Sequence, residues 1–223
     1  MNKDLLKLVD RNTWIMSDHH FGHAKIGEFE PLRIKMAEEL GYENYEEMII
    51  QFHNEIVKPE DIVLFMGDFS FKSPYPASKM NGRKILIVGN HDCRGDHAHY
   101  QAGFELVVRG SYVNLNDNIF HCGHKDPKYS VFFTDIMDKR IAFTHYPLGF
   151  DDGYNRQPEH GKFSIQQRMD EQFQMAEDFD TQLIIHGHLH SKIAETKYFD
   201  YINVSGEHLE FKPTLLKDLL EKH

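Results

Sequence analysis

Five times along this chain a short apolar run stops at side chains able to bind a metal or carry a proton. The clearest case is Lys84 to Asp92, Lys-Ile-Leu-Ile-Val-Gly-Asn-His-Asp. Its apolar, mostly β-branched residues predict a short buried strand. Gly89 then presents Asn90, His91 and Asp92 at the strand's carboxyl edge, where open α/β sheets place their sites. The same pattern ends Thr13–Met16 at Ser17-Asp18-His19-His20-Phe21-Gly22-His23, and Ile62–Met66 at Gly67-Asp68. It ends Ile141–Thr144 at His145-Tyr146-Pro147, and Gln182–Ile185 at His186-Gly187-His188-Leu189-His190. Any one of these endings is ordinary turn punctuation. Five together predict one site assembled from five strand ends.

Spacing sharpens the expectation. On an extended chain Asp18 and His20 point to one side, because side chains alternate with period two. A carboxylate and an imidazole so placed suit one divalent cation, and His188 and His190 repeat the interval. Seven candidate ligands follow, namely Asp18, His20, Asp68, Asn90, His145, His188 and His190. Two Asp, one Asn and four His are too many for one zinc ion and suit two cations sharing a carboxylate. By contrast, His121-Cys122-Gly123-His124 lacks the second ligand pair that a structural zinc site needs.

Between these endings the chain reads as helical cover and further strands. Pro31 suits a first helical turn and Gly41 a C′ stop. Asn44 with Glu47 resembles a capping box ahead of an apolar stripe of Tyr45, Ile49, Phe52 and Ile56, with His53 at its boundary. Ser164 with Gln167 resembles another, before a helix face of Ile165, Met169, Gln172 and Ala176. Val107-Val108, Ser111–Leu115 and Tyr201–Ser205 read as strands, Asn116–Asn118 as a hairpin turn and Leu215–Leu220 as a terminal helix.

Composition limits the function classes. Apolar residues at 40% can build a sizeable core, and the length suits one domain spanning 1–223. No apolar run approaches the roughly 18 residues of a membrane span. The first ten residues carry no secretory signal, and Cys93 and Cys122 make no disulfide framework, which points to the cytoplasm. The net charge of −10 opposes extended nucleic acid unless a basic stripe compensates.

Taken in order, Asp18-His19-His20, Gly67-Asp68, Gly89-Asn90-His91-Asp92, His145 and Gly187-His188-Leu189-His190 resemble the five motifs of the calcineurin-like metallophosphoesterases. The resemblance runs from about Trp14 to His190. It implies a four-layer α/β/β/α sandwich of two mixed β-sheets flanked by helices, with the metals at the strand ends. It also implies that Asp18, His20 and His190 hold one divalent ion, and Asn90, His145 and His188 the other, with Asp68 bridging both. A hydroxide held between the ions would attack phosphorus. His91 would steady a phosphoryl oxygen or protonate the leaving group, and Asp92 is the nearest candidate to partner it. The family favours Mn²⁺, with Fe or Zn²⁺ as alternatives.

One departure narrows the kinship. The protein Ser/Thr phosphatases of this superfamily continue Gly-Asp into Asp-Arg-Gly, whereas here Gly67-Asp68 continues as Phe69-Ser70-Phe71. The opening is closer to small bacterial and phage phosphoesterases, which often begin Ser-Asp-x-His-Phe-Gly-His. His23 belongs to that opening and is a candidate substrate contact; Arg94, as a cation able to pair with a substrate phosphate, is another, and the Phe21–Tyr45 and Tyr146–Lys162 segments are the expected walls. The expected activity is hydrolysis of a small soluble phosphoester, such as a nucleotide or cyclic nucleotide. The competing readings are a phosphodiesterase acting on RNA or DNA ends and a non-catalytic scaffold.

Overall fold

Each strand that feeds the site alternates cleanly between two packing environments. In the computed structural model, which describes residues 3–92, 95–123, 130–150, 165–194 and 198–223, the first sheet contains β1 (Trp14–Met16), β2 (Ile62–Phe65), β3 (Arg83–Ile87), β4 (Phe104–Val108) and β11 (Thr214–Leu215). Its order is β11-β1-β2-β3-β4, parallel except for β11. The second sheet contains β5 (Ser111–Leu115), β6 (Asn118–His121), β7 (Val131–Ile136), β8 (Lys139–Thr144), β9 (Leu183–His186) and β10 (Asp200–Asn203). Its order is β10-β9-β8-β7-β5-β6 and it mixes parallel with antiparallel pairs.

Period-two alternation builds the layers. Ile15, Leu64, Ile85 and Leu106 from the first sheet join Phe132, Ile141, Phe143, Leu183 and Ile185 from the second in one buried core. The opposite faces of the first sheet, Met16, Val63, Phe65 and Leu86, pack beneath helices α1 (Ile26–Phe29), α2 (Pro31–Glu39) and α3 (Tyr45–Ile56). Val113, Phe133, Ala142 and Ile184 on the outer face of the second sheet meet Ala176 of α5 (Ile165–Asp178). The result is the helix–sheet–sheet–helix sandwich expected. Short helices α4 (Asp96–Gln101) and α6 (Leu216–Leu220) and two 3₁₀ turns, Lys3–Leu8 and Tyr75–Lys79, complete the described elements, and no described helix is long and apolar enough to cross a membrane.

Asn44 does cap α3, accepting from the Glu47 N–H at 2.9 Å. His53 departs from expectation. It is fully buried, stacks on Phe65 and bonds the Asn81 carbonyl at 2.9 Å, so it belongs to the core and not its boundary. Ser164 and its proposed cap lie outside the described residues. The central strand β7 was not expected. Its hairpin to β8 turns at Met137-Asp138, both left-handed (φ 53° and 61°), without the Asn-Gly or Asp-Gly pair that announces such a turn.

Candidate functional site

Strands β1, β2, β3, β8 and β9 end along one line where the two sheets meet. Ser17 pairs with Ser205 across that seam, and the Asp18 N–H bonds the Gly67 carbonyl at 3.1 Å. Just past the strand ends, Asp18, His20, Asp68, His188 and His190 all take left-handed backbone, with φ between 49° and 69°. The convergence of Asp18 with His20 therefore comes from left-handed turns and not, as spacing suggested, from alternation along an extended strand. Such conformations cost about 1–3 kcal/mol each and collect at functional sites.

The side chains so placed form one cluster. The Nε2 atoms of His20 and His190 approach to 3.1 Å, and each lies 3.7 Å from Asp18 Oδ1. Asp68 Oδ2 stands 3.6 Å from His20 Nε2, 3.4 Å from His145 Nε2 and 3.8 Å from His91 Nε2. Asn90 Oδ1 is 3.1 Å from His145 Nε2. The His188 N–H donates to Asp18 Oδ2 at 2.9 Å, and its ring lies 5.2 Å from that of His145. All seven expected ligands are thus brought together.

The donor set fits a cation. His145 Nδ1 faces the Met66 carbonyl at 2.9 Å and His190 Nδ1 faces Glu207 Oε2 at 3.1 Å. Each acceptor fixes the proton on Nδ1, so a neutral ring turns its Nε2 lone pair into the cluster. There the lone pairs meet carboxylate and amide oxygens, and buried Asp18 Oδ1 has no hydrogen-bond partner among the described residues. Acceptors converging on acceptors require a positive charge between them. With only protons available, burial would depress His145, yet the Asp68 charge pushes it up to about 9. Burial would likewise raise Asp18, but the adjacent His20 ring and the charges of His190 and His145 hold it well below the usual carboxylate range. Asp68 is lowered in the same way, chiefly by His145 acting against burial. Proton and metal compete for the same ring nitrogens.

Several contributors were not read from the sequence. Ser205 Oγ donates to Asp18 Oδ2 at 3.0 Å, and Ser17 Oγ to the Met66 carbonyl at 2.9 Å. Arg33 of α2 is wholly buried, pairs with Glu207, and donates to the carbonyls of His19 at 3.1 Å and Asp18 at 3.3 Å. Arg33 thereby ties the β1 ending to the carboxylate that orients His190. A Cβ at Gly187 would overlap Ser17 Oγ and Asp18 Oδ2, and one at Gly89 would overlap Asp68. Those glycines let the ligand segments approach each other.

The remaining sequence candidates divide. His91 is 34% exposed beside the cluster, and its backbone N–H anchors Asp68 Oδ1 at 2.8 Å. His23 lies 5.6 Å from His20 and 6.1 Å from His91, ring to ring. Asp92 does not partner His91. Its buried carboxylate accepts from the backbone N–H groups of Phe69 at 3.0 Å, Ser70 at 3.3 Å and Gly89 at 2.9 Å. Burial and then the Asp68 charge push it up to about 6, against those bonds. Arg94 and residues 151–162 of the second wall lie outside the described residues.

The chain is 25% identical over 197 residues to the gene 66 protein of Mycobacterium phage L5, covering 84% of this chain and 81% of that protein. It is 35% identical over 96 residues to an uncharacterized protein of Methanocaldococcus jannaschii, covering 39% of this chain and 49% of that one. Its fold is similar to a crystal structure from Aquifex aeolicus described as a protein of unknown function, at a TM-score of 0.65 and 23% identity. That match covers 95% of this chain and 98% of the other. A family model for calcineurin-like phosphoesterases matches residues 11–192. With the ordered strand-end motifs and the double-sheet sandwich beneath them, the chain belongs to the calcineurin-like phosphoesterases, metal-dependent hydrolases of phosphoesters.

Proposed function

We propose that the cluster binds two divalent cations and that the protein hydrolyses small soluble phosphoesters, such as nucleotides or cyclic nucleotides. Asp18, His20 and His190 would hold one ion, and Asn90, His145 and His188 the other. The observation that carries this reading is the position of Asp68. Its Oδ2 lies 3.6 Å from a ring of the first set and 3.4 Å from a ring of the second, where a shared carboxylate belongs. Bound dications would polarise a phosphoryl oxygen and lower the pKa of a water molecule. Mn²⁺ is the favoured metal, with Fe or Zn²⁺ compatible with the oxygen and nitrogen donors.

The chain's own residues supply the rest. His91, half-buried and 3.8 Å from Asp68, can hydrogen-bond a phosphoryl oxygen or give a proton to the leaving alkoxide. Its backbone N–H holds Asp68 in place, so its main chain positions a ligand while its ring faces substrate. Asp92 braces the Gly67–Ser70 turn that presents Asp68. The acidic balance disfavours polymeric substrates and suits a small one, handled in the cytoplasm by a single domain.

Metal analysis and a phosphoester panel test the reading. Protein loaded with Mn²⁺ is expected to hold two ions per chain and to turn over at least one small phosphoester. Asp68→Ala should lose activity and at least one ion. His91→Ala should keep both ions and lose roughly 10²–10⁴ in kcat. One ion per wild-type chain, or wild-type turnover by Asp68→Ala, would overturn the two-metal arrangement.

A further inference from the structure

A continuous path of rings leads away from the cluster to open surface. The His20 ring lies 5.6 Å from His23 and 5.3 Å from His91. His23 meets Phe71 edge-on at 4.6 Å and Phe29 at 6.3 Å, while Phe71 also lies 5.3 Å from His91. Phe71 is 45% exposed and Phe29 67%. The Phe71 main chain is held in place by its N–H bond to the Phe21 carbonyl at 2.9 Å, next to the Phe21–Ser70 bridge. Two exposed aromatic side chains thus lie beside His23, next to the partly open His91 ring.

What lies around this shelf limits what it can take. From His23 a groove of about 660 Å³ runs between α1, α2 and the start of α3. Ile26, Ile34 and Tyr45 line it, and Glu28, Glu38 and Glu46 outnumber Lys35 along it. The Glu46 carboxylate is fixed there by the Gly22 N–H at 2.7 Å. Further phosphate groups would be repelled from such a groove, whereas an uncharged planar ring would not.

We infer that the phosphoester taken by this site carries a planar aromatic group, a nucleobase or an aryl ring, which stacks on Phe71 and Phe29 across His23 while the phosphate sits at the cluster. The inference rests on the proposed phosphoesterase site and adds the chemistry of the esterified group. Rings prefer offset or edge-on contacts with aromatic side chains, and such stacking tolerates any base.

The test compares nucleoside, phenyl and glycerol esters within whichever ester class, mono- or diester, the panel shows to be hydrolysed. The wild-type protein should prefer the two aromatic esters by kcat/KM. In Phe71→Leu, Phe29→Leu and the double variant, the ratio of aromatic to glycerol ester should fall, by about tenfold in the double variant, mostly through KM. A fall for the nucleoside ester alone assigns the shelf to bases; a fall for both assigns it to aromatic groups at large. No aromatic preference in the wild type, or equal losses on all three esters, would overturn the inference. Saturation-transfer NMR of adenosine with metal-stripped protein supplies a readout that needs no turnover. Transfer to the ring protons should be present in the wild type and lost in the double variant; its absence from the wild type counts against the shelf. Adenosine contact without any phosphoester turnover would refute the hydrolytic reading and leave the shelf standing. Turnover with unchanged ester ratios would do the reverse.

Discussion

The buried pair Arg33–Glu207 gives the sharpest test of how the site is held. Arg33 is 0% exposed, flanked by the rings of Tyr45 and Phe211 at 5.5 Å each, and bonded to two carbonyls of the β1 ending. Burial would raise Glu207, but the His190 hydrogen bond and the Arg33 charge lower it, so the pair is ionised. Removing one partner leaves the other charge buried and uncompensated, at a cost of about 3–5 kcal/mol. For a chain of this size that is a fall in Tm of roughly 6–20 °C. Arg33→Met and Glu207→Met should each show it. The double variant should recover part of the loss, with a coupling energy of about 1–3 kcal/mol, because apolar side chains of similar volume can replace a buried pair. Metal affinity should behave differently. Without Glu207 the His190 Nδ1–H loses its acceptor, and affinity should fall about 10–100-fold in both the Glu207 single and the double variant. Urea unfolding of metal-free protein, followed by the fluorescence of the single tryptophan, Trp14, reads the first effect. Calorimetric titration with Mn²⁺ reads the second. Additive unfolding energies, or unchanged Mn²⁺ affinity in Glu207→Met, would refute the reasoning.

Three other perturbations separate bracing from chemistry. Asp92→Asn cannot accept from Gly89 at one end and from Phe69 and Ser70 at the other, so unfolding free energy should drop by about 1–3 kcal/mol. Unchanged stability with a loss confined to kcat would return Asp92 to the chemistry. Gly187→Ala should drive Asp18 out of place and weaken metal binding at least about tenfold, beyond an overpacking cost of about 1–3 kcal/mol; intact metal titration would show that the seam has slack. Burial first, offset by the Asn81 bond, pulls His53 down to about 4. Below about pH 6.5 the unfolded chain takes up a proton that folded His53 refuses, so stability is lost as pH falls from about 6.5 to about 4, at up to ~1.4 kcal/mol per unit. His53→Gln should flatten that slope in urea titrations at pH 7, 6 and 5, and an unchanged slope would count against a buried neutral imidazole.

The strand ends were legible because two signals coincide there. A buried parallel strand must be an apolar run, and a ligand breaks that run abruptly, as at Val88-Gly89-Asn90. Arg33 gave no such signal. It sits among Leu32, Ile34 and Lys35 on a helix that looks amphipathic and solvated, and its partner is 174 residues away. Only the burial of Arg33 together with Ala37, one helical turn on, shows that this face turns inward. Asp92 misled through adjacency. Its place after His91 suggests a pair, yet the turn after β3 points its carboxylate back under the Gly67–Ser70 loop. Strand β7 gave a weak signal because its hairpin turn opens on Met137, left-handed where glycine, asparagine or aspartate would advertise the turn.

The left-handed ligands show why the site needs so large a scaffold. Asp and His enter this region more readily than most residues, but five of them near one cluster still oppose folding by several kcal/mol, on the scale of a whole domain's net stability. What offsets it lies outside the cluster, in the continuous apolar core between the sheets and in backbone bonds at the strand ends, such as Ser17 N–H to Val204 across the seam and Met66 N–H to Met16 within the first sheet, each 2.9 Å. The positions of the candidate ligands are therefore set by sheet geometry. A cation bound there would meet donors already oriented, and its binding energy would not be needed to order them.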